Sequence, residues 1–387
     1  MSRLDDLSSC LVPFGQDHTL VVVIELSQES WLVAGTVPGV ERQPLKKMEP
    51  NETALLRLLH RWRDEATRAG RTIERIVVAY ESGRDGFWLA RWLANQGIEV
   101  HVIHSSSVAV SREHKRAKTD RLDTAMLSRV FLGWLRGERG HCKMVVVPTL
   151  AEEDAKRPNR QLEKLTGECT RIVNRLKAAL ARLGIRGFNP KLRKAAARLE
   201  ALRTPEGEPI PQNLLEEMQR DLAHLAFLRE QKREIEQLRL ERLQQAPKIG
   251  TNVMVLMLAS VIGIGIDTAD LLVQELLSRN LRDRRAVGRS AGLTGSPDES
   301  GSKRREKGLS KCGNARVRRT MIQLAWRWQQ FQPDSALAKW YKSRIEGAKG
   351  VVKLKLIVGL ARKLLIALWR MVNTGEIPEG VMLQQPA

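Results

Sequence analysis

The sequence predicts an α/β amino-terminal domain, a helical middle and an all-α carboxy-terminal domain. Three observations carry this. Apolar strand-like runs alternate with helical spacing over the first 150 residues. Beyond them, Leu, Glu, Arg and Lys recur at helical spacing instead. A chain of 387 residues, 42 % of them hydrophobic, can bury several cores.

In chain order, residues 19–37 (TLVVVIELSQESWLVAGTV) read as a buried strand, a polar turn and a hairpin return. Residues 51–69 have helical spacing, with Leu55, Leu58, Leu59 and Trp62 on one face. Residues 75–80 (RIVVAY) form another buried strand, 87–96 a helix, 99–104 (EVHVIH) a third strand, and 119–134 an amphipathic helix. Residues 150–160 read as a charged, proline-punctuated connection, with helices at 161–183 and 213–245. In the second helix Leu215, Met218, Leu222 and Leu225 keep a three-four spacing that Leu228, Ile235 and Leu238 resume with a shift. This coiled-coil-like seam with a stutter suits either two helices packed within one chain or a dimerising arm. Residues 188–211, with Pro190, Pro205, Pro209 and Pro211, connect the two helices. From 247 the chain is helical and basic, broken by a Gly-rich insertion at 288–313; the last helix, 351–373, closes a small core and 375–387 read as a loose tail. The expected domains are 1–150, 151–246 and 247–375, followed by a tail at 376–387.

Charge narrows the function. Lys and Arg number 65 against 44 Asp and Glu, a net charge of +21. Such a surface seeks a polyanion, and nucleic acid is the better partner than a membrane. No apolar run is long enough to span a bilayer, and the polar start MSRLDDLSSC is no signal peptide. The expectation is a cytoplasmic, nucleoid-associated protein. Cys10, Cys142, Cys169 and Cys312 form no C-x-x-C pair, which points away from a zinc ribbon or disulfide framework. His101 and His104 read as packing residues. No G-x-x-x-x-G-K-[ST] run supports ATP use.

Two constellations carry chemistry. Glu25 ends VVVIE, Glu81 ends RIVVAYE, and Asp120 and Asp123 share one face at the start of a helix. Converging acids in a basic protein call for a hard divalent cation, and a metal pair clamps the attacking and leaving oxygens of phosphodiester cleavage. Taken singly, each acid is better explained as a solvated element end, and it is the four together that favour a metal. Lys115, Arg116, Lys118 and Arg121 flank the aspartates and suit phosphate. The second constellation is GLTGSPDESGSKRREKGLSKCGNARVRR. Small residues surround Ser296, Ser300 and Ser302, and Lys303, Arg304, Arg305, Lys311, Arg316, Arg318 and Arg319 follow. Cations of this kind stabilise a serine alkoxide and a pentavalent phosphorus, whereas composition alone fits a basic binding loop. Gly263 and Gly265, in SVIGIGID between two helical stretches, suit a helix-hairpin-helix that lets backbone amides approach phosphate; a plain inter-helix turn uses the same glycines.

Four blocks, VVVIELSQESWLVA, YESGRDGFWLARWL, HKRAKTDRLDTAMLSRV and AGLTGSPDESGSKRREKGLSKCGNARVRR, give the chain a resemblance to insertion-sequence transposases of the IS-one-ten class. The resemblance spans most of the chain. It implies a ribonuclease-H/RuvC-like first domain with the DEDD acids Glu25, Glu81, Asp120 and Asp123 holding Mg²⁺ or Mn²⁺. It further implies a coiled-coil link and a helical transposase domain whose serine, Ser300 before Gly301, joins covalently to DNA. The implied partners are double-stranded DNA at element ends and target, a noncoding bridge RNA, and further copies of the chain as dimer or tetramer. The sequence departs from the family pattern at Glu25, where Asp is usual, and lacks the proline often found before the hairpin glycines. A Holliday-junction-resolvase-like endonuclease would use the same acids without Ser300, and a non-catalytic basic nucleic-acid-binding protein would use neither set.

Overall fold

The computed structural model describes residues 12–108, 119–138, 140–246, 249–300, 303–310, 312–347 and 350–384; of residues 106, 297–299, 303–307 and 351 it describes the backbone alone. The chain divides into two compact units, Met1–Ala151 with Arg279–Ala286, and Glu152–Ser278 with Val287–Ala387.

The first unit is built on β1 (Thr19–Leu26), β2 (Trp31–Thr36), β3 (Leu45–Met48), α1 (Glu52–Arg68), β4 (Arg75–Glu81), α2 (Trp88–Asn95), β5 (Glu99–Ile103), α3 (Asp120–Leu135) and β6 (Met144–Val145). The six strands form one sheet in the order β3-β2-β1-β4-β5-β6. β1 pairs antiparallel with β2 and parallel with β4; β4 and β5 are parallel, and β6 closes the edge antiparallel. Alternation explains both faces. Leu20, Val22, Ile24, Val78 and Tyr80 pack against the stripe Leu55, Leu58, Leu59, Trp62 and Ala66 of α1. Val21, Val23, Val77 and Ala79 pack on the other face against Leu127, Val130, Phe131 and Trp134 of α3. α1 starts where expected because the Asn51 side chain accepts from the Ala54 N–H at 2.7 Å, a cap worth about 1 kcal/mol.

The second unit begins around α4 (Leu150–Ala155) and holds α5 (Arg157–Arg182), α6 (Ala195–Glu200), α7 (Gln212–Gln245), α8 (Thr251–Ala259) and α9 (Ile266–Leu272), which runs into a π-helical turn at Val273–Leu277. It continues through α10 (Arg284–Ser290), β7 (Gly295–Ser300), β8 (Lys303–Leu309), α11 (Ala315–Phe331), α12 (Ala336–Ile345) and α13 (Gly350–Thr374).

Three expectations are corrected here, and one left open is decided. Residues 150–160 are helix rather than connection, because Pro158 falls in the first turn of α5, where its missing N–H costs nothing. The 188–211 connector contains α6, whose Ala195 and Leu199 are buried. Of the two readings left open for the α7 seam, the packing within the chain is the one seen: Met218, Leu222, Leu225 and Leu228 pack on Leu165, Ile172, Val173 and Leu176 of α5. The tail is fastened. Gln384 N–H donates to the Ser260 carbonyl at 2.6 Å, and Ile262 N–H donates to that of Met382 at 3.2 Å. The fully buried Gln332 amide donates to the carbonyls of Ile262 and Met382, both at 2.9 Å.

Candidate active site

Glu25 and Glu81 share the face of the sheet that α3 covers, while Asp120, exposed, and Asp123, half-buried, stand in the first turn of α3 itself. Ile24 is the register partner of Tyr80, so Glu25 and Glu81 follow side by side on adjacent parallel strands. Both share the parity of Val21, Val23, Val77 and Ala79, which pack toward α3, and both are half-buried. Asp120 and Asp123 form the first turn of α3, beneath the Thr119 cap whose hydroxyl accepts from Leu122 N–H at 3.3 Å. Asp123 lies one turn before Leu127, so it extends the sheet-facing stripe toward the helix start. Hard oxygen donors placed on one side of one sheet suit a divalent cation. The side chains are not closed around one: among the described residues, no three His, Cys, Asp or Glu stand close enough to hold a metal ion.

The serine segment is not a loose loop. β7 and β8 form an antiparallel hairpin in which Ser300 is the register partner of Lys303, Glu299 of Arg304 and Asp298 of Arg305. Ser300 is exposed at the end of β7, and Ser296 is half-buried near its start. Ser302 and Lys311 lie outside the described residues. The base of the hairpin is clamped. Gly292 (φ +64°) and Gly313 (φ +90°) meet so closely that a Cβ on Gly313 would stand 2.5 Å from the Gly292 nitrogen. Ser310 N–H donates to Thr294 O at 2.8 Å and Asn314 N–H to Ser290 O at 2.7 Å. Asn314 also caps α11, its Oδ1 accepting from Arg316 N–H at 2.9 Å and Val317 N–H at 3.2 Å. Its Nδ2 donates to Glu275 Oε2 at 2.8 Å. Backbone bonds thus close the base of the hairpin, and the Asn314–Glu275 side-chain bond ties that base to the π-helical turn.

The expected basic contacts fare unevenly. Lys115, Arg116 and Lys118 lie outside the described residues, while Arg121 is exposed on the first turn of α3. Arg316 Nε and Arg319 Nη1 donate to Glu163, at 2.6 and 2.5 Å. Burial works against the Glu163 carboxylate, but hydrogen bonds from Arg319 and Arg316 outweigh it and hold its pKa below the ordinary value. Arg318 is half-buried, its Nη1 donating to the Cys312 carbonyl at 3.5 Å. At Gly263 (φ +93°) a Cβ would lie 2.7 Å from Phe331 Cβ, so left-handed backbone and packing account for that glycine, whereas Gly265 opens on free space. Cys142 is buried, which pushes its thiol up to about 11 and leaves it inert.

Two family profiles match. One, described as the transposase IS116/IS110/IS902 family, covers residues 255–340; the other, a DEDD transposase domain described as "Transposase", covers 40–185. A Sinorhizobium fredii (strain NBRC 101917 / NGR234) protein named "Putative transposase y4rJ" is 40 % identical over 378 residues, 95 % of either chain. The chain belongs to the IS110/IS116/IS902 family of transposases. A Yersinia enterocolitica protein, "Transposase for insertion sequence element IS1328", is 26 % identical over 306 residues, 78 % of this chain and 85 % of that one. As a transposase the protein is an enzyme that breaks and rejoins DNA, and its DEDD domain implies dependence on a divalent metal. Glu81, Asp120 and Asp123 fall inside the DEDD match and Ser300 inside the other, while Glu25 precedes both. No helix among the transposase's described residues is long and apolar enough to cross a membrane.

Sequence reading missed the fastenings of both units. Arg75 binds Glu99 through two hydrogen bonds of 2.6 Å, and Glu99 also bonds His101 Nε2 at 2.6 Å beneath the Trp134 ring. Glu163, Glu275 and Asn314 join α5, the π-helical turn and α11 across more than a hundred positions in places, and no local signal announces them.

Proposed function

We propose that this transposase is an insertion-sequence recombinase whose first unit is a ribonuclease-H/RuvC-like DEDD domain and whose nucleophile is Ser300. The sheet order β3-β2-β1-β4-β5, with β2 antiparallel and β4 parallel to β1, supports the first part. The observation that carries the second is the clamped hairpin presenting an exposed serine beside Lys303. Ser300 Oγ attacks a DNA phosphate: an Oγ–P bond forms, a P–O bond of the DNA strand breaks, and the serine proton leaves to solvent or a nearby base. The departing sugar oxygen takes up a proton. Rejoining reverses the exchange, with a hydroxyl of the new partner strand displacing serine.

In the backbone register Asp298 and Glu299 are partners of Arg305 and Arg304, and Lys303 is the partner of Ser300; Lys303 is the cation proposed to offset charge on the phosphoryl oxygens. Glu25, Glu81, Asp120 and Asp123 would hold Mg²⁺ or Mn²⁺, and the cation would supply Lewis-acid polarisation of a phosphate oxygen. Arg121, Gly265 and the basic residues around the hairpin contact the DNA backbone. A noncoding guide RNA and assembly into dimers or tetramers complete the proposal; the +21 charge suits the first.

The test is denaturing electrophoresis of protein trapped on labelled element-end DNA. Wild type forms a covalent adduct, Ser300→Ala forms none, and Ser296→Ala and Ser302→Ala retain it. Cleavage by wild type without an adduct would replace this mechanism with the resolvase-like one.

A further inference from the structure

Glu163 is the one acid in residues 156–164, among Lys156, Arg157, Arg160 and Lys164, and it meets a helix, α11, that has four arginines and no acid of its own. This carboxylate holds two guanidinium groups at once. Oε2 accepts from Arg316 Nε at 2.6 Å and Oε1 from Arg319 Nη1 at 2.5 Å. The arrangement stands in water: the side chains of Glu163, Arg316 and Arg319 are 36, 41 and 60 % exposed. Beside it lies Gly167, one turn further along the same face of α5 and well inside that helix, where glycine weakens the helix. Among the described residues, a Cβ at Gly167 would meet only Arg171 Nη1, at an ordinary 3.7 Å, so packing does not call for the glycine. Its effect is to leave a bare strip of backbone next to the Glu163 carboxylate.

We propose that Arg316 and Arg319 form a clamp for one backbone phosphate of double-stranded DNA, which Glu163 occupies until the DNA displaces it; the inference rests on the backbone contacts proposed above. A carboxylate and a phosphodiester offer a guanidinium pair the same thing, one negative charge shared by two oxygens. The two arginines are therefore already spaced for the oxygens of a phosphate, and guanidinium groups fixed before binding lose less freedom on meeting their ligand. Exchange is open to them because exposed ion pairs contribute little to stability, whereas DNA brings further phosphates and releases its counterions. The gap at Gly167 gives the sugar–phosphate chain room beside the carboxylate it replaces. DNA is the polyanion on which this family acts, and both arginines fall inside the family match at 255–340. The acid also has a use. A protein of charge +21 binds DNA of any sequence, and Glu163 lowers that indiscriminate affinity by making a phosphate compete for the clamp.

Binding of a random-sequence DNA duplex by the full-length protein tests this, with the variants Glu163→Gln, Glu168→Gln and Arg316→Gln/Arg319→Gln, each shown to fold by its melting curve. Glu168, paired with Arg171 at 3.8 Å, is the control that removes the same charge from α5 away from the clamp. Arg319→Gln alone serves if the double variant melts early. Glu163→Gln should bind DNA about tenfold more tightly than wild type at low salt, against about twofold for Glu168→Gln, and its log affinity should fall with log salt by about one unit more steeply. Once the arginines are replaced, Glu163→Gln should gain no more than the control. A gain no larger than that of Glu168→Gln would overturn the inference, as would a gain that survives loss of the arginines or one seen with duplex RNA and not with duplex DNA. The two proposals fail differently. Weaker binding by the arginine variant with no special gain at Glu163 sinks the occupied clamp alone; an arginine variant that binds as tightly as its parent, with or without Glu163, sinks the backbone contacts at these residues too.

Discussion

Replacing Glu99 by Gln removes the charge that fastens β4 to β5 beneath α3. The carboxylate accepts from Arg75 Nε and Nη2 and from His101 Nε2, each at 2.6 Å. Burial alone would raise its pKa, but the hydrogen bonds from His101 and Arg75 outweigh that and bring it from 4.5 to about 2. At about 1.36 kcal/mol per tenfold, this amounts to about 3 kcal/mol. Solvent reaches one third of the side chain (33 % exposed), and screening there reduces the contribution to about 1–2 kcal/mol. Because the folded carboxyl titrates below the unfolded one, the contribution is complete above about pH 4.5 and is lost as pH falls through about 2. Glu99→Gln should therefore lower the melting temperature of the first unit by about 4 °C at pH 7 and by less than half as much at pH 3. Trp134, whose ring lies 4.7 Å from that of His101, gives a fluorescence signal for the transition. Equal shifts at both pH values would show that shape and not charge matters at this site, and no shift at either would refute the reasoning altogether.

Asp123→Asn should abolish strand exchange in a plasmid assay while DNA affinity, measured by anisotropy, stays within about twofold, since one charge of the proposed ligand set goes and the proposed basic contacts remain. Leu222→Lys with Leu225→Lys should destabilise the α5–α7 pair by several kcal/mol, seen as an early melting phase, because both leucines are buried within the chain. Light scattering that shows a folded monomer from an oligomeric parent would return this seam to an intersubunit role. Asn314→Ala should cost about 2 kcal/mol, combining a lost cap with a lost hydrogen bond to buried Glu275, which keeps only Arg160 Nε at 3.7 Å, and should raise protease sensitivity in the hairpin. Unchanged proteolysis would mean the glycine clamp holds the hairpin unaided.

How legible each part was follows from where its stabilisation lies. The runs LVVVI and IVVAY are buried on both faces, so composition alone marks them as strands, and α1 carries both its stripe and its Asn51 cap locally. The edge strands β3 and β6 are short and partly polar, and nothing in LKKM or MV distinguishes them from loop. The hairpin was the larger miss. GSPDES and KRREKGL are poor in strand-forming side chains, and their pairing depends on contacts at the base made by residues outside both strands. The acids at 25, 81, 120 and 123 could be assigned to element ends because strand parity and helix spacing are local rules. The pairing of Arg316 and Arg319 with Glu163 could not, because only the packing of α5 near α11 creates it.

That miss bears on chemistry. A Gly/Ser-rich loop would deliver a hydroxyl by flexibility, and each attack would have to overcome the entropy of ordering the loop. A hairpin whose base is locked by Gly292 and Gly313 has met part of that cost during folding, and the serine attack proposed above would gain from it. It also alters which cations matter. In a loop, Lys303, Arg304 and Arg305 would be equivalent donors to a phosphate; in the hairpin Arg304 and Arg305 stand across from Glu299 and Asp298, and Lys303 alone of the three stands across from Ser300. For the proposed nucleophile, the backbone register therefore tells the three cations apart: Arg304 and Arg305 are partners of Glu299 and Asp298, while Lys303 is the partner of Ser300, which is exposed at the end of β7.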